Sequence, residues 1–262
     1  AYASLIVLVA LYVVAVVGPV AYPRNPYAVD PPNRLMAPGP GRPLGTDDVG
    51  RDILARILYG GRVSLTIGLV ALSIAVCIGT LIGASSGYFE GWIDGLLMRF
   101  TDAVLALPLF FFLLAVVSLF GGGARTVVVV IGLTSWMRAA RVVRGEFLRW
   151  KVQEFVLAAR AQGATDTRII VRHILPQAAS SVMVEATLGV AYAILTESAL
   201  SFLGLGIQPP TPTWGNMLFN AQSYIWMAPQ LAIWPGCMIL VTVLAFNSFG
   251  DGLRDALDPR TR

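Results

Sequence analysis

The chain of 262 residues contains a single histidine, His173, and a single lysine, Lys151. The phosphate-binding loop of many ATPases requires the pattern Gly-x-x-x-x-Gly-Lys-Ser/Thr, which the sequence around Lys151 does not supply. If the chain serves an ATP-driven process, another chain must therefore bind and hydrolyse the ATP. One histidine is also too few for the His-Glu-x-x-His site of metalloproteases. We expect no catalytic residue, no metal site and no cofactor in this chain.

Cysteine and charge are scarce as well. Cys77 and Cys237 both lie inside apolar runs, where we interpret them as small core residues rather than as part of a disulfide or zinc framework. Charged residues make up 13% of the chain, whereas about a quarter of the residues in an average soluble domain are charged. Hydrophobic residues make up 56%, and the mean hydropathy is +0.71. This composition predicts an integral membrane protein.

Several apolar runs approach the roughly 20 residues that a helix needs to cross a bilayer. Because lipid offers the backbone no hydrogen-bond partner, these runs must be helices, and we predict an all-α protein with about six transmembrane helices. The predicted spans are residues 4–21, 63–85, 103–120, a run from about 126 past 136, residues 178–200 and residues 231–249. We interpret the first run as a span rather than a secretory signal, since no Ala-x-Ala cleavage site follows it.

The connections between spans also carry patterns. The proline-dense residues 22–45 predict an extended connection. Residues 47–59 predict a short amphipathic helix along the membrane surface, ended by Gly60 and Gly61. Residues 87–102 predict a second interfacial segment.

Basic residues set the expected orientation. Eight of the nineteen arginines and lysines lie between positions 138 and 172, so the positive-inside rule places this region in the cytoplasm, and counting spans outward places both termini there as well. The same count places residues 22–62 outside although they carry six arginines, a tension that four aspartates soften only slightly. The net charge of +4 is explained by these span ends rather than by nucleic-acid binding, because the arginines flank spans instead of forming a groove with interleaved aromatics.

The longest polar interruption in the second half of the chain is residues 154–176. Small residues cluster ahead of Gly163, which suits a helix end, and Thr165 can cap a second short helix. The segment predicts a helix, a glycine joint and another helix, with a thin face that a partner can approach closely. An ordinary juxtamembrane helical hairpin is the alternative interpretation.

This segment resembles the cytoplasmic coupling loop of bacterial ABC importer permeases, whose pattern is Glu-Ala-Ala, three residues, Gly, nine residues, Ile-x-Leu-Pro. The positions that agree are Ala158, Ala159, Gly163, Leu175 and Pro176. Two positions depart from the pattern, since Leu157 stands where it has glutamate and His173 where it has isoleucine.

Further stretches resemble the same family, namely residues 44–52 (LGTDDVGRD), 60–65 (GGRVSL), 195–206 (LTESALSFLGLG) and 250–259 (GDGLRDALDP). With the turn at 208–212 and Trp214-Gly215-Asn216, they are similar, along nearly the whole chain, to the C-type permease subunit of dipeptide and oligopeptide ABC importers. The resemblance implies a type I, MetI-like permease fold with an extra N-terminal span, in the bacterial inner membrane. It divides the chain into residues 1–61 with that span, the loop and the interfacial helix, a permease core at 62–251 with the coupling loop at 150–176, and a cytoplasmic tail at 252–262.

The resemblance also implies partners. These are a homologous second permease subunit, two ATP-binding subunits or domains that hold ATP and Mg²⁺, an extracytoplasmic substrate-binding protein and a peptide substrate. The ATPases are expected to dock at Glu154, Leu157, Ala158, Ala159, Arg160, Gly163, Ala164, Asp166, Arg168, His173, Leu175 and Pro176. The binding protein is expected to dock at Asp47, Asp48, Arg51, Trp214, Tyr224 and Trp226.

Two carboxylates in the fifth predicted span, Glu185 and Glu197, are expected to face the translocation path or other helices, because a charge facing lipid is costly. The resemblance does not assign one cargo, since relatives of the family also carry nickel, haem, glutathione or sugars. The main alternative is an ion- or proton-coupled secondary transporter with Glu185 as its coupling carboxylate, although the inverted repeat typical of such folds is not evident. An intramembrane hydrolase using a serine and His173 is disfavoured by the position of that histidine in a polar loop.

Overall fold

The computed structural model describes residues 2–257, and the chain it describes is built from α-helices joined by loops. The helices are α1 (Tyr2–Ala21), α2 (Ile53–Phe89), α3 (Gly91–Leu105), α4 (Leu109–Phe120), α5 (Ala124–Thr134), α6 (Trp136–Trp150), α7 (Glu154–Ala161), α8 (Asp166–Arg168), α9 (Leu175–Phe202), α10 (Trp214–Ala221) and α11 (Gln230–Leu257). The predicted all-α membrane fold is confirmed. Five helical runs are long and apolar enough to cross a membrane, and the bent pair α3–α4 makes up to six.

The second span differs from its prediction, because residues 47–59 form no separate surface helix. Helix α2 is continuous over 37 residues from Ile53 to Phe89. Asp52 caps it, accepting a hydrogen bond from the Ala55 backbone N–H at 3.0 Å. Gly61 lies inside this helix, where an added Cβ would come within 2.9 Å of the Trp214 ring. The glycine therefore admits a neighbouring aromatic ring and does not end the helix.

Three other helix boundaries differ from their predicted positions. The third span breaks at residues 106–108 instead of at 102–103, and α3 and α4 meet at a bend of 79°. The predicted short helix after Gly163 does not stop before Pro176, because α8 continues through a π-helical segment, Ile169–Ile174, into α9. Pro176 is the second residue of α9 and directly follows the π-helical segment. Helix α11 continues to Leu257, so the predicted tail begins inside a helix, and residues 258–262 lie outside the described chain.

The closest helix packing in the bundle joins α2 to α6. Gly79, Gly83 and Gly87 follow one another by one helical turn and face α6. An added Cβ at Gly79 would lie 2.6 Å from the Ala139 Cβ, and one at Gly87 would lie 2.7 Å from the Arg144 carbonyl oxygen. Small residues of this kind let membrane helices approach to backbone contact.

The bundle has two distinct ends. At one end, which we call the loop end, Tyr88 of α2 packs with Phe147 of α6 and with Val156 and Ile169 of the 150–176 loop. At the other, which we call the far end, α10 and residues 203–229 pack against the start of α2, beside the folded connection of residues 22–52. The two ends correspond to the two sides of the membrane that the sequence distinguishes.

The α2–α6 contact generates a first prediction. Gly83→Ala should lower the free energy of unfolding by roughly 1–3 kcal/mol, because its Cβ would overlap the Ala140 carbonyl oxygen on a rigid neighbouring backbone. Gly145→Ala on α6 is the matched control, since no heavy atom lies within 4 Å of its Cβ. Thermal unfolding of the two purified variants measures the difference, and equal melting temperatures would contradict the packing argument.

Candidate functional site

The 150–176 loop has the predicted helix, glycine joint and helix. Helix α7 ends at Ala161, and Gly163 adopts a φ of +81°, a left-handed conformation that favours glycine. Val156 is the residue of α7 that anchors it, with 0% exposure in a cluster that includes Phe147 and Ile174. The short helix is therefore held to the bundle by one apolar side chain and leaves its other faces open.

Polar contacts fix the same loop to the end of α2. The Tyr88 hydroxyl donates to the Asp166 carboxylate at 2.5 Å and accepts from the Arg160 guanidinium at 3.3 Å. The Lys151 ammonium donates to the Tyr88 carbonyl oxygen at 3.0 Å and lies 2.8 Å from the Glu90 carboxylate. A movement of α7 must therefore be transmitted to α2.

The residues predicted for ATPase docking divide by exposure. The exposed ones are Glu154, Leu157, Ala158, Arg160, Gly163, Asp166, Arg168 and Pro176, and the half-buried ones are Ala159, Ala164, His173 and Leu175. Leu157 stands 50% exposed at the position where the family pattern has glutamate, and Phe155 and Val171 are exposed beside this set. The loop thus offers an apolar, uncovered surface within the described chain.

Two ion pairs hold α3 to α6 and were not predicted from the sequence. The Arg144 guanidinium donates two hydrogen bonds of 2.6 Å to the Asp94 carboxylate, and Arg141 lies 2.6 Å from Asp102. The sequence placed Arg138, Arg141 and Arg144 on one helix face, but their partners on α3 are distant in the chain and gave no local signal.

A cavity of about 250 Å³ opens between α2, α6 and α9, with the α3–α4 bend at its edge. Glu185 lines it from α9, and Arg138 lines it from α6. The Arg138 guanidinium lies 5.3 Å from the centre of the Tyr192 ring. In the sequence, Arg138 is one of the basic residues at the end of a span, and this position gives no sign of its place in the cavity.

Glu197 occupies a different environment. It is fully buried, and the Ser201 hydroxyl donates to its carboxylate at 2.8 Å while accepting from the Ile207 backbone N–H at 3.2 Å. The loop after α9 folds back over this carboxylate. Glu197 is an interhelical residue that holds the far-end loop.

The residues predicted for binding-protein docking also differ in exposure. Trp214 is 1% exposed and its indole N–H donates to the Ile57 carbonyl oxygen at 3.2 Å, so the prediction that it is a surface anchor is wrong. Asp47 and Arg51 are buried too and form an ion pair of 2.6 Å. Burial, together with the neighbouring Asp47 carboxylate, raises the pKa of Asp48, whose charge Arg51 offsets from 3.7 Å.

Tyr224 is half-buried, whereas Trp226 is 96% exposed beside Met227 at 74%. Of the three predicted aromatic anchors, Trp226 is therefore the one that offers its whole ring at the far end. Sequence reasoning could not separate it from Trp214, because both follow the same proline-rich turn.

Comparison with known proteins agrees with this architecture. Residues 79–262 match the family described as binding-protein-dependent transport system inner membrane component. The chain is 40% identical over 262 residues to the dipeptide transport system permease protein DppC of Alkalihalophilus pseudofirmus, covering 100% of this chain and 86% of that protein. It is 46% identical over 219 residues to the glutathione transport system permease protein GsiD of Pectobacterium atrosepticum, covering 84% of this chain and 73% of that protein.

Two solved structures show the same fold. The inward-facing MetNI methionine ABC transporter matches with a TM-score of 0.61 and 17% identity, over 77% of this chain and 95% of that chain. An amino acid ABC transporter matches with a TM-score of 0.55 and 17% identity, over 74% of this chain and 90% of that chain.

The polar contacts of the 150–176 loop generate a second prediction. Tyr88→Phe removes the hydroxyl that bonds Asp166 and Arg160, and a hydrogen bond to a charged group contributes roughly 1.5–3 kcal/mol. Amide hydrogen exchange across residues 154–166 should therefore become at least tenfold faster. Tyr2→Phe, at an 87% exposed position of α1, is the control and should leave this exchange unchanged. Unchanged exchange in Tyr88→Phe would show that Val156 alone holds the loop.

Proposed function

Because the chain belongs to the binding-protein-dependent transport system inner membrane component family, and is thus a permease of an ABC importer, we propose that its cargo is a short peptide. The relatives described above are named for dipeptide and glutathione transport, and both cargoes are small peptides with free ammonium and carboxylate groups. Membership of this family removes the secondary-carrier interpretation of Glu185.

The partners of the permease follow from the same proposal. A homologous second permease chain completes the path, two ATP-binding subunits supply ATP and Mg²⁺ binding, and an extracytoplasmic binding protein delivers the peptide. Closure of the ATPase pair moves the docked loops as rigid bodies, and the spans rock between two access states. The protein lies in the inner membrane, and we propose that its loop end and both termini face the cytoplasm.

One observation supports ATPase docking above the others, which is the open face of α7. Val156 fixes the helix while Leu157, Ala158 and Gly163 remain exposed. A partner that contacts this face moves a helix whose Arg160 side chain is hydrogen-bonded to Tyr88 of α2. The arrangement is suited to force transmission and needs no reacting group in this chain.

Ala158→Trp tests this assignment. The added ring should hold the ATPase away from α7, because packed interfaces do not absorb extra volume without strain. Uptake per ATP hydrolysed should fall at least tenfold in proteoliposomes that contain the complete importer, while membrane insertion is unchanged. Ala158→Ser is the matched control at the same exposed site and should behave like the parent. Normal coupling in Ala158→Trp would show that the ATPase docks elsewhere.

Trp226→Ala tests the proposed docking of the binding protein at the far end. Exposed aromatic rings often carry a large part of the binding energy at interfaces, so the variant should need several times more binding protein to stimulate ATP hydrolysis. Trp92→Ala is the control, since Trp92 is 77% exposed but lies on α3 near the loop end. The same dependence on binding-protein concentration in both variants would reduce Trp226 to a membrane anchor.

A further inference from the structure

Two ionisable side chains, Arg138 and Glu185, lie at mid-helix positions on the border of one cavity, Arg138 exposed and Glu185 half-buried in the described chain. Arg138 lies near the middle of the 27-residue run Ala124–Trp150, and Glu185 lies near the middle of the 37-residue run Asp166–Phe202. Both line the 250 Å³ cavity between α2, α6 and α9. Ionisable groups at such positions are costly in lipid and are found facing a protein interior or a water-filled path.

In the part of the chain that the structure describes, neither Arg138 nor Glu185 forms an ion pair of the kind that the neighbouring arginines of α6 form. Arg141 and Arg144, on the following turns of α6, form ion pairs of 2.6 Å with α3. Within residues 2–257, Arg138 and Glu185 belong to no ion pair. The two opposite charges therefore border one cavity without neutralising each other by contact.

The remaining lining shows what such a cavity can hold. Most of its wall is apolar, from residues such as Leu72, Leu109 and Leu188. Ser135, at the break between α5 and α6, adds a hydroxyl that is buried without a hydrogen-bond partner in the described chain. The volume lies just below the roughly 300–1,000 Å³ of typical small-molecule sites, so it fits a short ligand and excludes a haem or a long peptide.

We propose that this cavity is a binding site for a zwitterionic short peptide in passage, with the peptide carboxylate on Arg138 and its ammonium on Glu185. A guanidinium binds a carboxylate through two parallel hydrogen bonds, and Tyr192 holds the guanidinium plane from one side. The apolar wall accepts the peptide side chains with little discrimination. A metal cation would be repelled by Arg138, and an uncharged sugar would leave both charges unpaired.

The inference rests on the proposed peptide cargo and assigns it a second recognition step, separate from that of the binding protein. The test therefore omits the binding protein. The complete permease and ATPase complex, in nanodiscs without nucleotide, is titrated with radiolabelled Ala-Phe dipeptide, its N-acetyl form and its C-terminal amide. Reduced glutathione is titrated in parallel as the other peptide with free charged ends.

The parent complex should bind free Ala-Phe at least tenfold more tightly than either capped form. Arg138→Gln should bind free Ala-Phe with at least tenfold lower affinity than the parent, and its affinity for the C-terminal amide should show no further loss. Glu185→Gln should give the same two results, with the N-acetyl form in place of the amide. Arg138→Lys should recover part of the affinity for free Ala-Phe that Arg138→Gln loses. Arg141→Gln, on the same helix but outside the cavity, is the matched control and should bind like the parent.

Equal binding of free and capped peptides to the parent, or an equal loss for both forms in Arg138→Gln, would overturn the proposal and leave Arg138 with a structural role. Uptake of Ala-Phe by the same complex reconstituted in proteoliposomes, driven by ATP and the binding protein, is measured alongside. Intact uptake with no charge-dependent binding overturns this site alone. Absence of uptake for Ala-Phe and glutathione, despite ATP hydrolysis stimulated by the binding protein, overturns the peptide cargo as well.

Discussion

Backbone contact between α2 and α6 is the constraint on which the rest of the structure depends. The glycines at 79, 83 and 87 bring the two helices together without intervening side chains, so α6 is placed by the backbone of α2. The functional features of the chain are positioned by this pair of helices. Helix α6 carries Arg138 towards the cavity and Arg144 towards α3, while α2 ends in the Tyr88 that holds α7. A larger residue in this contact would displace the cavity and the loop together.

Features that depend on local composition were predictable from the sequence, as the membrane class, the approximate spans and the α7–Gly163 joint show. These follow from apolar run length and from the backbone preference of glycine, which act over a few residues. The continuous helix α2 was not predictable in this way. Gly60 and Gly61 weaken a helix by local propensity, but here Gly61 admits the Trp214 ring and Gly60 lies against the backbone of Pro212 and Thr213, about 150 positions away. Tertiary packing overrides a weak local preference of about 1 kcal/mol per glycine.

The charged side chains also show that local sequence does not reveal long-range contacts. Positive charge at the end of a span is a sound indication of orientation, yet it does not reveal which arginine is paired. Arg141 and Arg144 find carboxylates on α3, and Lys151 finds Glu90, whereas Arg138 reaches the cavity with Glu185. Spacing alone assigns the three arginines to one face. What separates them is the packing of α3 against α6, which brings Asp102 to Arg141 and Asp94 to Arg144.

The cavity and the 150–176 loop are joined by the same two helices. Below Arg138, the Glu146 carboxylate of α6 accepts from the Trp150 indole at 2.8 Å and from the Ser181 hydroxyl of α9 at 2.7 Å. This bridge lies one helical turn from Glu185, so α6 and α9 cannot separate at the loop end without altering the distance between Arg138 and Glu185. A peptide held between those charges would stabilise one spacing of the two helices. Under the proposed function, ATPases acting on α7 would stabilise another spacing, and the difference in affinity between the two spacings would allow ATP binding to expel a charged cargo.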